Sequence, residues 1–263
     1  MVEAVNGGND ALYTSVSYVL GKGAEVETLS TNSWAATTAI NLTGNSFNQT
    51  IIGNAGNNIL HGGGGTDVLY GFGGDDVYYT DVAATMIIEA DGAGNDALYT
   101  SVSYALRADA SVEILSTNLT AGTGALDLAG SNFANILVGN NGANVLDGKG
   151  GNDTLYGFGG VDTFLFSSAP GTGNADSIAD FQQGLDRIGL SQAAFTGLES
   201  PGALPAGAFV TGSAAADADD RIIYDIGTGQ LFYDADGSGA GAALLFATLV
   251  TRPELAASDF LVI

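Results

Sequence analysis

The chain has 263 residues, enough for one extended domain or two compact ones, and its 29 acidic against 6 basic residues give a formal net charge of −23. Such a charge repels a phosphate backbone and an anionic lipid surface alike, which makes nucleic acid a poor partner, and the absence of cysteine excludes disulfides and thiolate zinc sites. Of the acids 22 are Asp and 7 Glu, a bias toward the short carboxylate that suits turns and cation ligation, while 46% hydrophobic residues and 40 glycines point to a glycine-punctuated fold rather than disorder.

In chain order, the opening MVEAVNGGNDALYTSV has neither the basic start nor the apolar stretch of a cleavable secretory signal. No apolar run approaches the roughly 18 residues of a membrane span, so membrane insertion is not expected. The segments ALYTSVSYVL, VETL and INLT read as short strands. Four glycine-led blocks follow in steps of nine, GNSFNQTII, GNAGNNILH, GGGGTDVLY and GFGGDDVYY, starting at Gly44, Gly53, Gly62 and Gly71. After MIIEA the whole pattern starts again: NDALYTSVSYVL from Asn9 returns as NDALYTSVSYAL from Asn95, an offset of 86 that also maps Glu3 to Glu89, Leu42 to Leu128 and the YGFGG at Tyr70 to the one at Tyr156. The second set of blocks, GSNFANILV, GNNGANVLD, GKGGNDTLY and GFGGVDTFL, starts at Gly130, Gly139, Gly148 and Gly157. Because Met1 stands just before Glu3, the chain is expected to open inside a unit and to be a piece of something longer.

The nine-residue step has a physical reading. Glycines let a six-residue loop curl until its carbonyl oxygens converge, the sixth residue adds a side-chain oxygen, and the next three residues make a minimal strand whose central residue points inward. Two blocks then complete a coil, so the sixth residue of one block stacks on the sixth residue two blocks later. The expected pairs are Gln49 with Asp67, Asn58 with Asp76, Asn135 with Asp153, Asn144 with Asp162, and Asp162 with Asp180. Stacked carboxylates repel unless a cation lies between them.

These blocks resemble the G-G-x-G-x-D-x-U-x nonapeptide of RTX (repeats-in-toxin) calcium-binding proteins. The resemblance implies an all-β parallel β-roll or β-solenoid over residues 1–165, with several calcium ions at its turns. The implied metal site residues are Asp67, Asp76, Asp153 and Asp162, with loop oxygens from Gly62, Gly64, Gly71, Gly73, Gly148, Gly150, Gly157 and Gly159. Asn58 and Asn144 are the stacked partners of Asp76 and Asp162. Blocks with Gln or Asn at the sixth position depart from the pattern and are expected to bind weakly or not at all.

After Phe166 the glycine period stops. NADSIADFQQGLDRIGLS resembles the segment that follows the last repeat in serralysin-type C-terminal domains, a likeness that implies a further calcium ligand at Asp176 and Asp180. RIIYDIGTGQLFYDADGSGAGAALLFATLV reads as two hairpins, turned at Gly227 to Gly229 and at Asp236 to Gly239. The final LAASDFLVI is similar to the uncleaved C-terminal signal of type I secretion substrates, and an ordinary final edge strand is compatible with it. A smaller β-rich cap and secretion domain is therefore expected over residues 166–263.

Catalysis has little to stand on: the one histidine, His61, has no adjoining GxSxG and sits at the outward ninth position of its block. The aromatic pairs Tyr70 with Phe72 and Tyr156 with Phe158 read as packing between coils before they read as a sugar-stacking face. The expected function is a noncatalytic calcium-binding module of a larger secreted bacterial protein, one whose catalytic part would lie elsewhere in the chain. It folds on Ca2+ outside the cell or at the cell surface and uses the type I secretion machinery. Two alternatives stand beside it, a polysaccharide-active β-solenoid enzyme or its binding module, and a self-assembling surface-layer or adhesin segment.

Overall fold

The structure, a computed structural model, describes residues 7–198 and 200–263; Glu3, the expected first-copy counterpart of Glu89, lies outside the described residues. Among the described residues there is no α-helix, only strands and two short 3-10 turns, Ala206–Ala208 and Ala257–Asp259. The chain divides into two compact units, one ending at Asn118 and the other running from Leu119 to Ile263.

In the first unit successive strands from Ala11–Thr14 to Ala97–Thr100 alternate between two parallel sheets. One holds Ala11–Thr14, Thr28–Thr31, Thr50–Ile52, Val68–Tyr70 and Met86–Ile88. The other holds Tyr18–Val19, Leu42–Asn45, Ile59–Gly63, Val77–Thr80, Ala97–Thr100 and Ile114–Thr117. Each block contributes one strand and each pair of blocks one coil, which is the parallel solenoid expected from the nine-residue step.

The register explains the core. Strand centres stack directly, Leu29 on Ile51 on Leu69 on Ile87 in one sheet and Leu42 on Leu60 on Tyr78 on Leu98 on Leu115 in the other, all at most 1% exposed. Burying one such side chain contributes about 1.5–3 kcal/mol, so the two inward columns are the main apolar source of stability. Tyr78 is the one polar-tipped member of its column.

The second unit repeats the plan with the columns Leu137, Leu155, Ile178 and Leu249, and Leu128, Leu146, Phe164, Ile188 and Phe260. Parallel pairing continues past Phe166: Asp176–Ile178 pairs with Thr154–Tyr156, and Arg187–Leu190 with Thr163–Phe166. The glycine period ends there, but the inserted loop 167–175 lengthens the coil without breaking the ladder. Ile222–Asp225, Gln230–Tyr233 and Leu244–Leu249 then form the two expected antiparallel hairpins. The last strand, Phe260–Val262, is no edge. It lies between Arg187–Leu190, which it meets in parallel, and Gly202–Ala203, which it meets antiparallel.

Candidate metal centres

The eight glycine-led loops fall into two classes set by their sixth residue. Where it is Gln or Asn, its side-chain oxygen accepts a hydrogen bond from the backbone N–H of the loop's second residue: Asn45 N to Gln49 Oε1 at 3.1 Å, Asn54 N to Asn58 Oδ1 at 2.7 Å, Ser131 N to Asn135 Oδ1 at 2.8 Å and Asn140 N to Asn144 Oδ1 at 2.8 Å. The amide also donates, from Gln49 Nε2 to Asn45 Oδ1, from Asn58 Nδ2 to Asn54 Oδ1 and from Asn144 Nδ2 to Asn140 Oδ1. These loops close on themselves, because an amide carries both a donor and an acceptor.

Where the sixth residue is Asp the backbone differs. The second loop residue takes positive φ, at Gly63 (85°), Phe72 (77°), Lys149 (70°) and Phe158 (65°), and so does the fourth, at Gly65 (94°), Gly74 (95°), Gly151 (108°) and Gly160 (119°). Side-chain-bearing residues rarely adopt this region, at a cost of about 1 kcal/mol or more, so a left-handed Phe72, Lys149 and Phe158 mark a geometry the surrounding fold imposes.

The sixth-position side chains form ladders. One carboxylate oxygen of each Asp accepts the backbone N–H of the sixth residue a coil earlier: Gln49 N to Asp67 at 2.7 Å, Asn58 N to Asp76 at 2.6 Å, Asn135 N to Asp153 at 2.6 Å and Asn144 N to Asp162 at 2.8 Å. The other oxygen is left over. Oδ2 of Asp67, Asp76, Asp96, Asp153 and Asp162 is buried and meets no donor, and each of these residues is at most 2% exposed. An ionised oxygen in that position is expensive unless something positive reaches it. It is also aimed at the loop's first glycine: a Cβ on Gly62, Gly71, Gly148 or Gly157 would overlap Oδ2 of Asp67, Asp76, Asp153 or Asp162. A hard cation with oxygen ligands fits this arrangement.

Burial also moves these groups' acidities. Desolvation pushes Asp67 up to about 6 and Asp76 and Asp162 up to about 7, against the opposing backbone N–H donors. Desolvation followed by the neighbouring Asp176 charge raises Asp153 to about 8, and Asp176 itself is raised to about 6 by burial.

The other expected site residues fall as follows. Asn58 and Asn144 stack on Asp76 and Asp162 through their backbone N–H groups, while their side chains bond within their own loops, Asn144 Nδ2 donating also to Leu126 O at 2.8 Å. Gly64, Gly73, Gly150 and Gly159 occupy the third loop positions, where an added Cβ would meet no atom closer than 3.3 Å. Asp176 stacks on Asp153, accepting its N–H at 3.0 Å. The pairing of Asp162 with Asp180 does not occur: Asp162 N donates to Asp186 Oδ1 at 3.0 Å, because the loop 167–175 makes this coil 24 residues long instead of 18. Asp180 instead accepts the amides of Gly157 and Phe158 at 3.0 and 2.8 Å. DADGSG is a hairpin turn in which Asp236 accepts the amide of Gly241 at 3.0 Å. His61 stands half-buried on the outer face of its strand, stacked on Tyr79 at 5.8 Å.

Three residues escaped the nine-residue reading: Asp96, Asp186 and Glu89. Asp96 and Asp186 are sixth-position equivalents displaced by unequal spacing, Asp96 accepting Asp76 N at 2.7 Å. Glu89, in MIIEA, carries its carboxylate to Asp76 and Asp96, and the three place ligand atoms within 4.8 Å of one another. The signal available for Asp96 was the ND that opens each 86-residue copy; for Glu89 the sequence held only its recurrence at Glu3.

Residues 43–80 and 129–167 match the RTX calcium-binding nonapeptide repeat, in four copies. The chain carries RTX repeats, over the glycine-led loops just described. Among curated proteins none matches it.

Proposed function

We propose that this chain is a noncatalytic calcium-dependent folding module, part of a larger secreted bacterial protein, exported by type I machinery and folded outside the cell. The observation that carries it is the set of buried Oδ2 atoms without a donor at the sixth-position aspartates Asp67, Asp76, Asp153 and Asp162, with Asp10 and Asp96 sharing the feature outside the glycine-led blocks. Asp67, Asp76, Asp153 and Asp162 would hold calcium, with Asp176 completing the Asp153 rung. The ion supplies the positive charge that lets stacked carboxylates stay ionised in the dry interior.

Without calcium, a chain of charge −23 stays extended enough to thread a secretion channel. Outside, for a dissociation constant of about 10⁻⁴ M and a tenfold calcium excess, each site adds about 1.4 kcal/mol, so a handful of sites accounts for most of a typical stability of ~5–10 kcal/mol. Chelation is expected to collapse the β-sheet circular dichroism and restored calcium to recover it; a melting temperature indifferent to chelator would overturn the proposal. On this reading residues 1–165 carry the glycine-led repeats, and residues 166–263, whose first strands extend the parallel ladder, form the cap that carries the export signal LAASDFLVI. Grafting residues 166–263 onto a passenger and assaying type I export tests that part.

A second reading, polysaccharide binding, has one observation in its favour. Trp34 and Phe72 are both exposed and stack at 5.6 Å, with Tyr70 beside Phe72 at 6.4 Å. Trp34 is the chain's one tryptophan. Titration with acidic oligosaccharides in calcium is expected to shift its fluorescence on this reading and to leave it unchanged on the first.

A further inference from the structure

We propose that Asp76, one of the nonapeptide aspartates, is joined by Glu89 and Asp96 in a three-carboxylate calcium site lying where the first 86-residue copy of the sequence runs into the second and drawing ligands from both. It rests on the calcium reading above but does not use the nonapeptide pairing. Only Asp76 belongs to a glycine-led block, while Glu89 and Asp96 come from the segment that joins the copies.

All three residues are buried, with exposures of 1%, 4% and 1%. Each carboxylate has one oxygen tied to the backbone: Asp76 Oδ1 accepts from Asn58 N at 2.6 Å, Asp96 Oδ1 from Asp76 N at 2.7 Å, and Glu89 Oε1 from Ala90 N at 3.2 Å. The second oxygens of Asp76 and Asp96 have no donor at all. Glu89 Oε2 has only the hydroxyl of Tyr78. Asp76 Oδ2, Glu89 Oε2 and the Tyr78 hydroxyl converge on Gly71, where a Cβ would overlap all three. The ion pairs Arg107–Asp109 and Lys149–Asp147 lie elsewhere, and the charges that bear on the three residues are acidic ones. Three carboxylates without a buried base and with oxygen-only donors call for a divalent hard cation.

The second copy of the sequence supplies an internal comparison. The positions 86 residues on from Asp76 and Tyr78 are Asp162 and Phe164. The nonapeptide aspartate is kept and Asp186 stands to Asp162 as Asp96 stands to Asp76, while the tyrosine that reaches the glutamate is replaced by phenylalanine. The polar tip of Tyr78, anomalous in a column of leucines, is thereby accounted for: it orients Glu89 toward Asp76.

Calcium titration calorimetry and terbium luminescence on the full chain test this. Glu89→Gln is expected to bind one calcium ion fewer than the wild type while Asp153→Asn loses a different one, and the double variant loses both. Tyr78→Phe should keep the wild-type stoichiometry but lose part of the tyrosine-sensitised terbium emission, since Tyr78 is the donor adjoining this site. If Glu89→Gln does not fold, the Tyr78→Phe emission decides. Unchanged stoichiometry in Glu89→Gln together with unchanged emission in Tyr78→Phe would overturn the site while leaving the nonapeptide reading intact. A wild-type chain that takes up no calcium would instead overturn both.

Discussion

At the scale of single residues, the difference between an amide and a carboxylate at the sixth loop position separates two kinds of turn. Asn58 and Asn144 satisfy their own loops, as acceptors and as donors. Asp153, with acceptors only, cannot do so and keeps an oxygen unpaired at 2% exposure. Replacing Asp153 by Asn therefore has a sign that depends on the medium. In calcium the variant is expected to be less stable than the wild type, by about 1–3 kcal/mol, because a ligand is lost; in chelator it is expected to be more stable, because a buried charge is gone. Urea titrations in the two media read both signs, and a shift in the same direction in each would count against cation ligation at this loop.

At the scale of elements, stability is carried by the inward columns and their continuity. Leu155 is fully buried, stacked between Leu137 and Ile178, and the three belong to strands far apart in sequence. Leu155→Ala is expected to cost about 2–5 kcal/mol with or without calcium, in contrast to the medium-dependent sign at Asp153. Urea unfolding with and without chelator measures it, and a cost confined to the calcium-bound state would show the column to be secondary to the ions. The strands also explain how a duplicated strand meets an unequal environment. From Ala11–Thr14 to its copy Ala97–Thr100 the chain passes through nine strand positions, an odd number, so the copy lies in the opposite sheet from its original. Identical sequence thus acquires different neighbours: Leu12 pairs with Leu29, while Leu98 sits between Tyr78 and Leu115.

At the scale of the whole molecule, protons and calcium compete for the same oxygens. The folded-state acidities of Asp67, Asp76, Asp153 and Asp162 are raised to between about 6 and about 8, above the 3.8 of a free aspartate. A raised pKa means that the folded chain binds more protons than the unfolded one between those limits. Without calcium, stability from these groups is therefore present below about pH 4 and lost as pH climbs through 6 to 8. In chelator the β-sheet signal is expected to be stronger at pH 5.5 than at pH 8, and the calcium affinity to rise over the same interval. Circular dichroism and calcium titration at the two pH values check this, and a calcium-free fold that strengthens with pH would contradict it.

The nine-residue step was enough to set the parallel solenoid, the inward columns and the stacked sixth positions, because each depends on spacing alone: two blocks make one coil, and period two sends the eighth residue inward. The hairpins were legible for the same reason, since alternation and turn residues are local. Three things were decided only by the tertiary structure. Asp162 meets Asp186 and not Asp180, because a loop of nine residues changes the length of one coil but not the ladder that hydrogen bonding must close. The two loop classes emerged from backbone dihedrals that glycine content alone does not specify, as the left-handed Phe72 and Phe158 illustrate. Glu89 reaches Asp76 from thirteen residues away, a separation outside the nine-residue step, so the spacing that stacks the sixth positions does not reveal this contact.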